Sequence, residues 1–246
     1  TTFEGDLSSL WGLQKLPPIR HLTWDWWWWL VMLDDEENGS AGRQLMVLWS
    51  TKDNPLVKVN DHPWMPKGRP GIDQNGGIGM EGMIAAWWFD GKELTEPLIL
   101  EESRIIVISE NHPDWPANKG GIVASTTQSE YSMGLTPDEA SFWLRLETEK
   151  GDFDFTMTPW NRAMSTIKQA DAEYGSGMGY GISRLHGALC KGTIDGIPTK
   201  GTSYFQKVCV QAPSIPWFWG MLHFDDGSYI DWFLPHLSPT ITARDS

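Results

Sequence analysis

The sequence predicts an all-β, antiparallel fold, and three observations carry the prediction. Turn dipeptides recur along the chain at Asn38-Gly39, Asp90-Gly91, Asp195-Gly196 and Asp226-Gly227. Short runs rich in β-branched and aromatic residues lie between such turns, as in the hairpins of a sandwich or barrel. Helical periodicity is scarce, and residues 163–174 are the best candidate for a short helix.

The apolar runs define the expected strands. They lie at residues 26–33, 79–89, 104–109, 141–147, 153–158, 181–194 and 221–224. In residues 142–147, alternation places Phe142, Leu144 and Leu146 on one face, with Arg145 and Glu147 on the other. We therefore expect one face of this strand to be exposed to solvent.

Residues 26–33 are apolar on both faces, unlike an ordinary surface strand. Such a strand is either buried from two sides or packed on one face while the other lines a pocket. The chain also contains 16 tryptophans. Trp supplies a large rigid surface and needs a polar partner for its N–H group, so this surplus favours a cavity lined by aromatic rings.

Charge and composition narrow the class of partner. The 246 residues include 19 Lys and Arg against 32 Asp and Glu, a net charge of −13 that repels nucleic acid. No apolar run is long enough to form a transmembrane helix, although peripheral membrane contact is compatible with the composition. We therefore expect a soluble protein, either cytoplasmic or secreted after signal removal, that binds a hydrophobic small molecule.

Cysteine usage gives no disulfide framework. The two cysteines, Cys190 and Cys209, are able in principle to pair, but two in 246 residues are more typical of small buried thiols. No metal-ligand spacing, phosphate-binding loop or nucleophile elbow is present. We predict no metal site.

An internal repeat is visible in the sequence. Residues 26–35 align without gaps on residues 217–226, with aromatic residues matched at three positions and Asp-Asp matched to Asp-Asp. Two unrelated apolar strands that end in acidic turns would look similar, but the alternative is a duplicated unit. We predict a first domain at 1–210, and at 211–246 either the start of a second β unit or the closing strands.

Several segments resemble a known family. They are Trp24-Asp25-Trp26-Trp27-Trp28-Trp29, Arg43-Gln44-Leu45-Met46-Val47-Leu48, Tyr180-Gly181-Ile182-Ser183-Arg184-Leu185, Gly192-Thr193-Ile194-Asp195-Gly196, Gly201-Thr202-Ser203-Tyr204-Phe205, Trp217-Phe218-Trp219 and Asp225-Asp226-Gly227-Ser228. Their order resembles that of the carotenoid 1,2-hydratase (hydroxyneurosporene synthase) family. The chain departs from that pattern at Gln206-Lys207-Val208-Cys209, where the family usually carries an Asp and a Glu.

The resemblance implies a tandem pair of lipocalin-like β-barrels, with the second incomplete in this chain. It also implies an apolar or polycyclic substrate and chemistry without a metal or redox cofactor. Members of the family include carotenoid hydratases, a fungal isoflavonoid hydratase and fungal Diels–Alderases. The expected function is a cofactor-independent enzyme acting on an isoprenoid or polyene, nominally a hydratase. The alternatives are a lipocalin-type binding protein for a lipid or pigment and a pericyclase.

Hydration of an isolated alkene requires a proton donor among apolar walls, and three residues are candidates. Asp25 lies among tryptophans, and Glu81 lies in a stretch otherwise free of charge. His186 alternates with Arg184 and is a candidate proton relay. The alternative for each carboxylate is a solvated or paired acid at a strand end, and for His186 a structural residue.

Aromatic and polar residues of the shared segments, together with Trp88, are the candidate substrate-binding set, because aromatic faces suit a flat polyene or a carbocation. The predicted set is Trp26, Trp28, Trp88, Tyr180, Arg184, Tyr204, Trp217 and Trp219. The alternative is that the tryptophans only form core.

Overall fold

The computed structural model describes residues 1–12, 19–34, 42–52, 57–59, 61–64, 71–72, 77–94, 97–108, 119–126, 128–213 and 217–235. The strands in them are β1 (Thr23–Leu33), β2 (Gln44–Lys52), β3 (Val57–Val59), β4 (His62–Trp64), β5 (Gly71–Ile72), β6 (Ile78–Phe89), β7 (Ile99–Ile108), β8 (Gly121–Ser125), β9 (Glu130–Leu135), β10 (Phe142–Thr148), β11 (Gly151–Pro159), β12 (Lys168–Gly175), β13 (Met178–Ile194), β14 (Ile197–Gln211), β15 (Trp217–His223) and β16 (Tyr229–Pro235). The predicted Asn38-Gly39 turn lies outside the described residues.

Ten of the described strands close into an antiparallel barrel. Their order is β11-β10-β9-β8-β7-β6-β2-β1-β14-β13, and β13 pairs with β11 to close the circle. The predicted all-β antiparallel fold is thereby confirmed, and every predicted strand overlaps an observed one. Between β13 and β14, Asp195 and Gly196 have φ values of 52° and 76°, as the predicted tight hairpin turn requires.

The barrel interior is filled by side chains. In β1, Trp27, Trp29 and Val31 point inward. Trp29 packs against Phe142 of β10 and against its register neighbour Phe205 of the adjacent strand β14. The ring centroids of Trp29 and Phe205 are 4.8 Å apart. In an open barrel, the interior cavity holds the ligand. Over the described part of the wall, the protein's own aromatic core fills that interior instead.

The 3₁₀ helix Leu7–Trp11 covers the end of the barrel where β1 begins. The Trp27 Nε1–H group donates a hydrogen bond to the Leu10 carbonyl at 2.7 Å. Phe3 contacts Phe142 edge to face, with centroids 4.9 Å apart. The first residues of the chain are thus part of the core.

The helix predicted at residues 163–174 is wrong. Residues 168–175 form β12, which pairs with the first half of β13. Gly175, Ser176 and Gly177 all have positive φ and make the hairpin turn. This Gly-Ser-Gly turn brings the two strands together, so tertiary pairing overrides the weak helical pattern.

β13 changes partner along its length. Its first half pairs with β12, and its second half, from Ala188, pairs with β11. The register to β14 shifts between Leu185 and Ala188, so that His186 and Gly187 form a β-bulge. Bulges re-aim side chains and are frequent beside functional sites.

The β15–β16 hairpin lies against the outer surface of the barrel. Its inward residues, including Trp219 and Met221, pack on the outward residues of β1 and β14, such as Trp28 and Tyr204. Both faces of β1 are therefore buried. The hairpin forms its own two-stranded sheet within the described residues, and the predicted second β unit stays a prediction.

The other face of this hairpin is apolar and exposed. Its large side chains are between 38 and 64% exposed, and they are Phe218, Leu222, Phe224, Ile230, Trp232 and Leu234. In the internal repeat, Phe218 and Leu222 correspond to Trp27 and Val31, which point into the barrel. The exposed face of the hairpin is thus equivalent to the interior face of β1.

Candidate functional site

Two rows of outward side chains on β1, β14 and β13 form the floor of the candidate site. Trp28, Gln206 and Arg184 are neighbours in the first row, because Gln206 pairs with both of the others. The Trp28 Nε1–H group donates to Gln206 Oε1 at 2.8 Å. Tyr204 and His186 belong to the next row, with ring centroids 6.1 Å apart.

The β15–β16 hairpin forms the roof over this floor. The Trp219 ring lies 4.9 Å from Trp28 and 5.1 Å from Tyr204 between centroids. Tyr229 stacks on His186 with centroids 4.8 Å apart. We call the interface between floor and roof, across which these rings contact one another, the hairpin crevice. It is bounded by Trp28, Arg184, His186, Tyr204, Trp219, Tyr229 and Asp231.

His223 and Asn161 hold the roof in place at one end. The His223 Nε2–H group donates to the His186 carbonyl at 2.7 Å, so Nδ1 accepts from the Thr202 hydroxyl at 2.8 Å. Burial lowers the pKa of His223, which keeps the ring neutral. The Asn161 amide donates to the Gly227 carbonyl at 3.1 Å. The hairpin is therefore docked by side chains rather than by a backbone ladder.

Asp231 is the charged centre of the hairpin crevice. Its Oδ1 accepts from Trp219 Nε1 at 3.0 Å, and its Oδ2 lies 3.5 Å from His186 Nε2 and 4.0 Å from an Arg184 guanidinium nitrogen. Burial opposes ionisation, but the His186 hydrogen bond and the Arg184 charge outweigh it, so the pKa of Asp231 lies below its usual range. Asp231 is an ionised acceptor that orients His186.

Three buried polar atoms in the crevice have no hydrogen-bond partner in the part of the chain that the structure describes. They are Arg184 Nε, His186 Nδ1 and the Tyr204 hydroxyl. His186 is 8% exposed and Tyr204 is fully buried. Each such atom costs about 1–3 kcal/mol when it is left unpaired. Their grouping beside aromatic faces is typical of a site built for a partly polar ligand.

Burial also fixes the protonation state of Tyr204. Removal of the phenol from water raises its pKa well above the ordinary value, and the positive charge of Arg184 offsets this only in part. The Tyr204 side chain is therefore a neutral phenol whose O–H group is available as a donor.

The structure brings together several residues that the sequence predicted as separate candidates. Arg184, His186, Tyr204, Trp28 and Trp219 all bound the hairpin crevice. Trp26 lies on the same outer face of β1 and is packed against this cluster. The residues on the barrel strands share an outward orientation. Alternation along β1 predicts that every second residue lies on the same face, but it does not tell which of the two faces is the outer one.

Asp25 lies on the opposite face of β1, inside the barrel. The Lys207 ammonium donates to Asp25 Oδ1 at 2.8 Å and lies 3.7 Å from the centre of the Trp27 ring. Asp25 and Lys207 are 5% and 2% exposed. The predicted proton donor is thus paired with a buried cation, away from the hairpin crevice.

The remaining predicted residues lie elsewhere. Glu81 is exposed on β6, opposite Arg104 of β7. Trp88 packs against Phe153 of the barrel core, and Tyr180 lies beside Tyr174 on the β12–β13 extension. Trp217 is at the outer end of the hairpin, 40% exposed and paired with Phe233.

Sequence reasoning missed Asp231, Tyr229 and Lys207. A signal for Asp231 exists, because it is the single charge in the apolar run Tyr229-Ile230-Asp231-Trp232-Phe233. In the sequence, Lys207 stands out only as a departure from the family pattern. Its partner Asp25 is 182 residues away in the sequence, so only the register of β1 with β14 reveals the pair.

Three further observations concern the described residues only. Among them, no helix is long and apolar enough to span a membrane. No group of three or more His, Cys, Asp or Glu side chains that could hold a metal ion occurs in those ranges. Cys190 and Cys209 are both free thiols.

Comparison with known proteins gives the fold. No protein-family profile matches the chain. No curated protein sequence matches it either. A crystal structure of a candidate AttH from Nitrosomonas europaea is similar at 13% identity and a TM-score of 0.50, over 91% of this chain.

This chain spans 65% of the length of the Nitrosomonas protein. The S-type phycobiliprotein lyase CPES from Guillardia theta also matches, at 10% identity and a TM-score of 0.27, over 78% of this chain and 88% of that one. The barrel topology and the Nitrosomonas similarity together show that the chain has a lipocalin-like fold.

Proposed function

We propose that this chain binds an elongated, largely apolar small molecule in the hairpin crevice. The observation that carries the proposal is the grouping of three unpartnered polar atoms with the aromatic faces of Trp28, Trp219 and Tyr229. The interior of the barrel is filled, so the ligand lies between the outer wall and the hairpin. Only side chains dock the β15–β16 hairpin on the barrel. Displacement of this hairpin would therefore open an entry route for the ligand.

Retinol fluorescence tests this proposal, because retinol is an elongated polyene that reports its own binding. Trp219→Ala removes a wall of the crevice and is expected to weaken retinol binding at least tenfold. Trp217→Ala is the matched control on the same strand, since Trp217 lies outside the crevice, and it should change the affinity less than twofold. Equal effects of the two substitutions would exclude this location.

A second candidate function is the hydration of a carbon–carbon double bond, as expected for a member of the carotenoid 1,2-hydratase family. The observation in its favour is the pairing of His186 Nε2 with Asp231. In its doubly protonated form, His186 would donate the Nδ1 proton to the alkene, and Nδ1 would take back the proton that the adding water releases. The aromatic walls would stabilise a carbocation formed on protonation.

Heavy-oxygen water distinguishes hydration from binding. A hydratase acting on a long acyclic polyene incorporates one heavy oxygen atom into its product, and His186→Gln should abolish this while retinol binding persists. Asp25→Asn and Glu81→Gln test the two other proton donors that the sequence suggested. If the oxygen is incorporated at an unchanged rate in His186→Gln but not in Asp25→Asn, the proton donor lies inside the barrel.

A pericyclase is the remaining alternative, and it needs shape and hydrogen-bond donors rather than a proton relay. It would keep turnover in His186→Gln and lose it in Trp219→Ala. Native mass spectrometry of the purified protein, searched for a co-purifying apolar ligand, would identify the molecule to use in these assays.

A further inference from the structure

We infer that the exposed face of the β15–β16 hairpin binds a second copy of this chain, in a symmetric dimer whose two hairpins pack face to face. The evidence is the area, the shape and the charge of this face. The inference is independent of the proposed ligand, because the hairpin crevice lies on the opposite face of the same hairpin. The residues concerned are Phe218, Leu222, Phe224, Ile230, Trp232 and Leu234.

The area of the exposed face matches half of a protein interface. Its six side chains are about half exposed, and large apolar side chains present about 150–250 Å² each, so the face leaves about 600 Å² in contact with water. An apolar patch of about 600 Å² is at the upper end for a monomer, and patches of this size mark interaction sites. Two copies face to face would bury about 1,200 Å² in total, the area at which specific protein interfaces begin.

The centre of the exposed face has a shape that can pack against itself. Gly220 and Trp232 are register partners in the middle of the hairpin. The Trp232 ring lies across Gly220, where any β-carbon would collide with it. The ring thus fills the space left by the missing side chain. In a symmetric dimer the same surface patch contacts itself, and a level apolar centre on the two-fold axis meets this requirement.

Charge sets the orientation of the two copies. The chain has a net charge of −13, but the exposed face has no charged residue, so two copies can meet there without burying like charges. Asp225 and Asp226 form the turn at one end of the hairpin. Hairpins that ran in the same direction would bring both acidic turns together, so we infer an antiparallel arrangement about an axis near Trp232. Ile230 of one copy then lies over Leu234 of the other.

Sedimentation velocity over a series of protein concentrations tests the inference. The wild-type chain should sediment with twice the mass of one chain at micromolar concentrations and dissociate on dilution, which exposes the face again. Ile230→Glu would bury an unpaired carboxylate in the interface, so we expect it to weaken dimerisation at least tenfold. Ile197→Glu is the matched control, because Ile197 is 70% exposed at the β13–β14 turn, outside this face. It should keep the wild-type affinity.

A mixture of two variants separates loss of the interface from misfolding of the hairpin. Leu234→Lys by itself should be monomeric, as Ile230→Glu should be. When the two variants are mixed, they should form a heterodimer, because the antiparallel arrangement brings the new carboxylate to the new ammonium group. Variants whose hairpins had unfolded could not restore each other's association. Failure of the mixture to associate would contradict the antiparallel arrangement.

Three other results would overturn the inference. They are a wild-type chain that stays monomeric at every concentration, a dimer that keeps its affinity in Ile230→Glu, and masses beyond that of a dimer, which indicate open association through strand edges. Neutral phosphatidylcholine vesicles test a different occupant. If the monomeric wild-type chain sediments with these vesicles and Ile230→Glu does not, the exposed face binds a lipid surface in place of a second copy.

Discussion

The ammonium group of Lys207 lies 2.8 Å from Oδ1 of Asp25, and the two side chains are buried together inside the barrel. This pair joins β1 to β14, and the face of the Trp27 ring contacts the ammonium group as well. A charge in such a position is expensive to bury alone, so each partner is needed by the other.

Removal of one partner should therefore be costly. Asp25→Ala leaves a buried ammonium unpaired, and we expect it to lower the free energy of unfolding by about 3–5 kcal/mol. The double variant Asp25→Ala/Lys207→Met should be less destabilised than the sum of the single variants, because it removes both charges. Urea denaturation of the four proteins measures the coupling, and strictly additive losses would mean that the charges do not interact.

Acidification should loosen the hairpin. The pKa of His223 is lowered from its ordinary value of 6.5, so protonation opposes docking and the stabilisation is lost as pH falls below 6.5. The pKa of Asp231 is lowered from 3.8, so its contribution is present above 3.8 and is lost as pH falls further.

Tryptophan fluorescence followed from pH 8 to pH 3, a range of about five units around these values, detects the release of the hairpin. His223→Gln keeps a side chain that can donate to the His186 carbonyl but cannot titrate. This variant should lose the step below pH 6.5 and keep the one at lower pH. A step that survives unchanged in His223→Gln would assign it to another group.

Both thiols should resist alkylation in the folded protein. Burial raises the pKa of Cys190 and of Cys209 to about 12, so the reactive thiolate is scarce at pH 8. We expect iodoacetamide to react roughly a thousandfold more slowly than with the unfolded chain. Mass spectrometry after a timed reaction gives the rate, with the same protein in urea as the control.

The exposed face of the β15–β16 hairpin should tolerate polar residues. Leu222→Thr and Ile230→Thr lie on this face, so we expect changes in the free energy of unfolding within about 0.5 kcal/mol and weaker binding of an apolar dye such as anilinonaphthalene sulfonate. Met221→Thr is the matched control, because Met221 is buried against Trp28 on the inward face. It should destabilise hairpin docking.

The fold was predictable because its signals are local. Alternation in residues 142–147 and the Asp195-Gly196 turn each report on a few neighbouring residues, and both were confirmed. The error at residues 163–174 has the opposite origin, since β12 is a strand only by virtue of its pairing with β13. An exposed strand with few apolar residues carries little periodic signal of its own.

The candidate site was only partly predictable, since its residues meet through register. The tract from Trp26 to Trp29 does not reveal which rings point inward, because every position is aromatic. Pairing with β14 places Trp28 outward next to Gln206 and Trp27 inward next to Lys207. His186 and Asp231 are 45 positions apart and meet only because the hairpin folds back onto the wall.

The bulge in β13 places a residue of the candidate site next to the pair of strands that closes the barrel. Ala188, two residues after His186, is the first residue of the seam where β13 meets β11. We expect separation of these two strands to displace His186, which would couple opening of the seam to binding of the proposed ligand. A ligand at a hundred times its dissociation constant would stabilise the competent state by about 2.7 kcal/mol. Its clearest signature would be slower amide exchange along the seam, at backbone positions that the ligand itself does not contact.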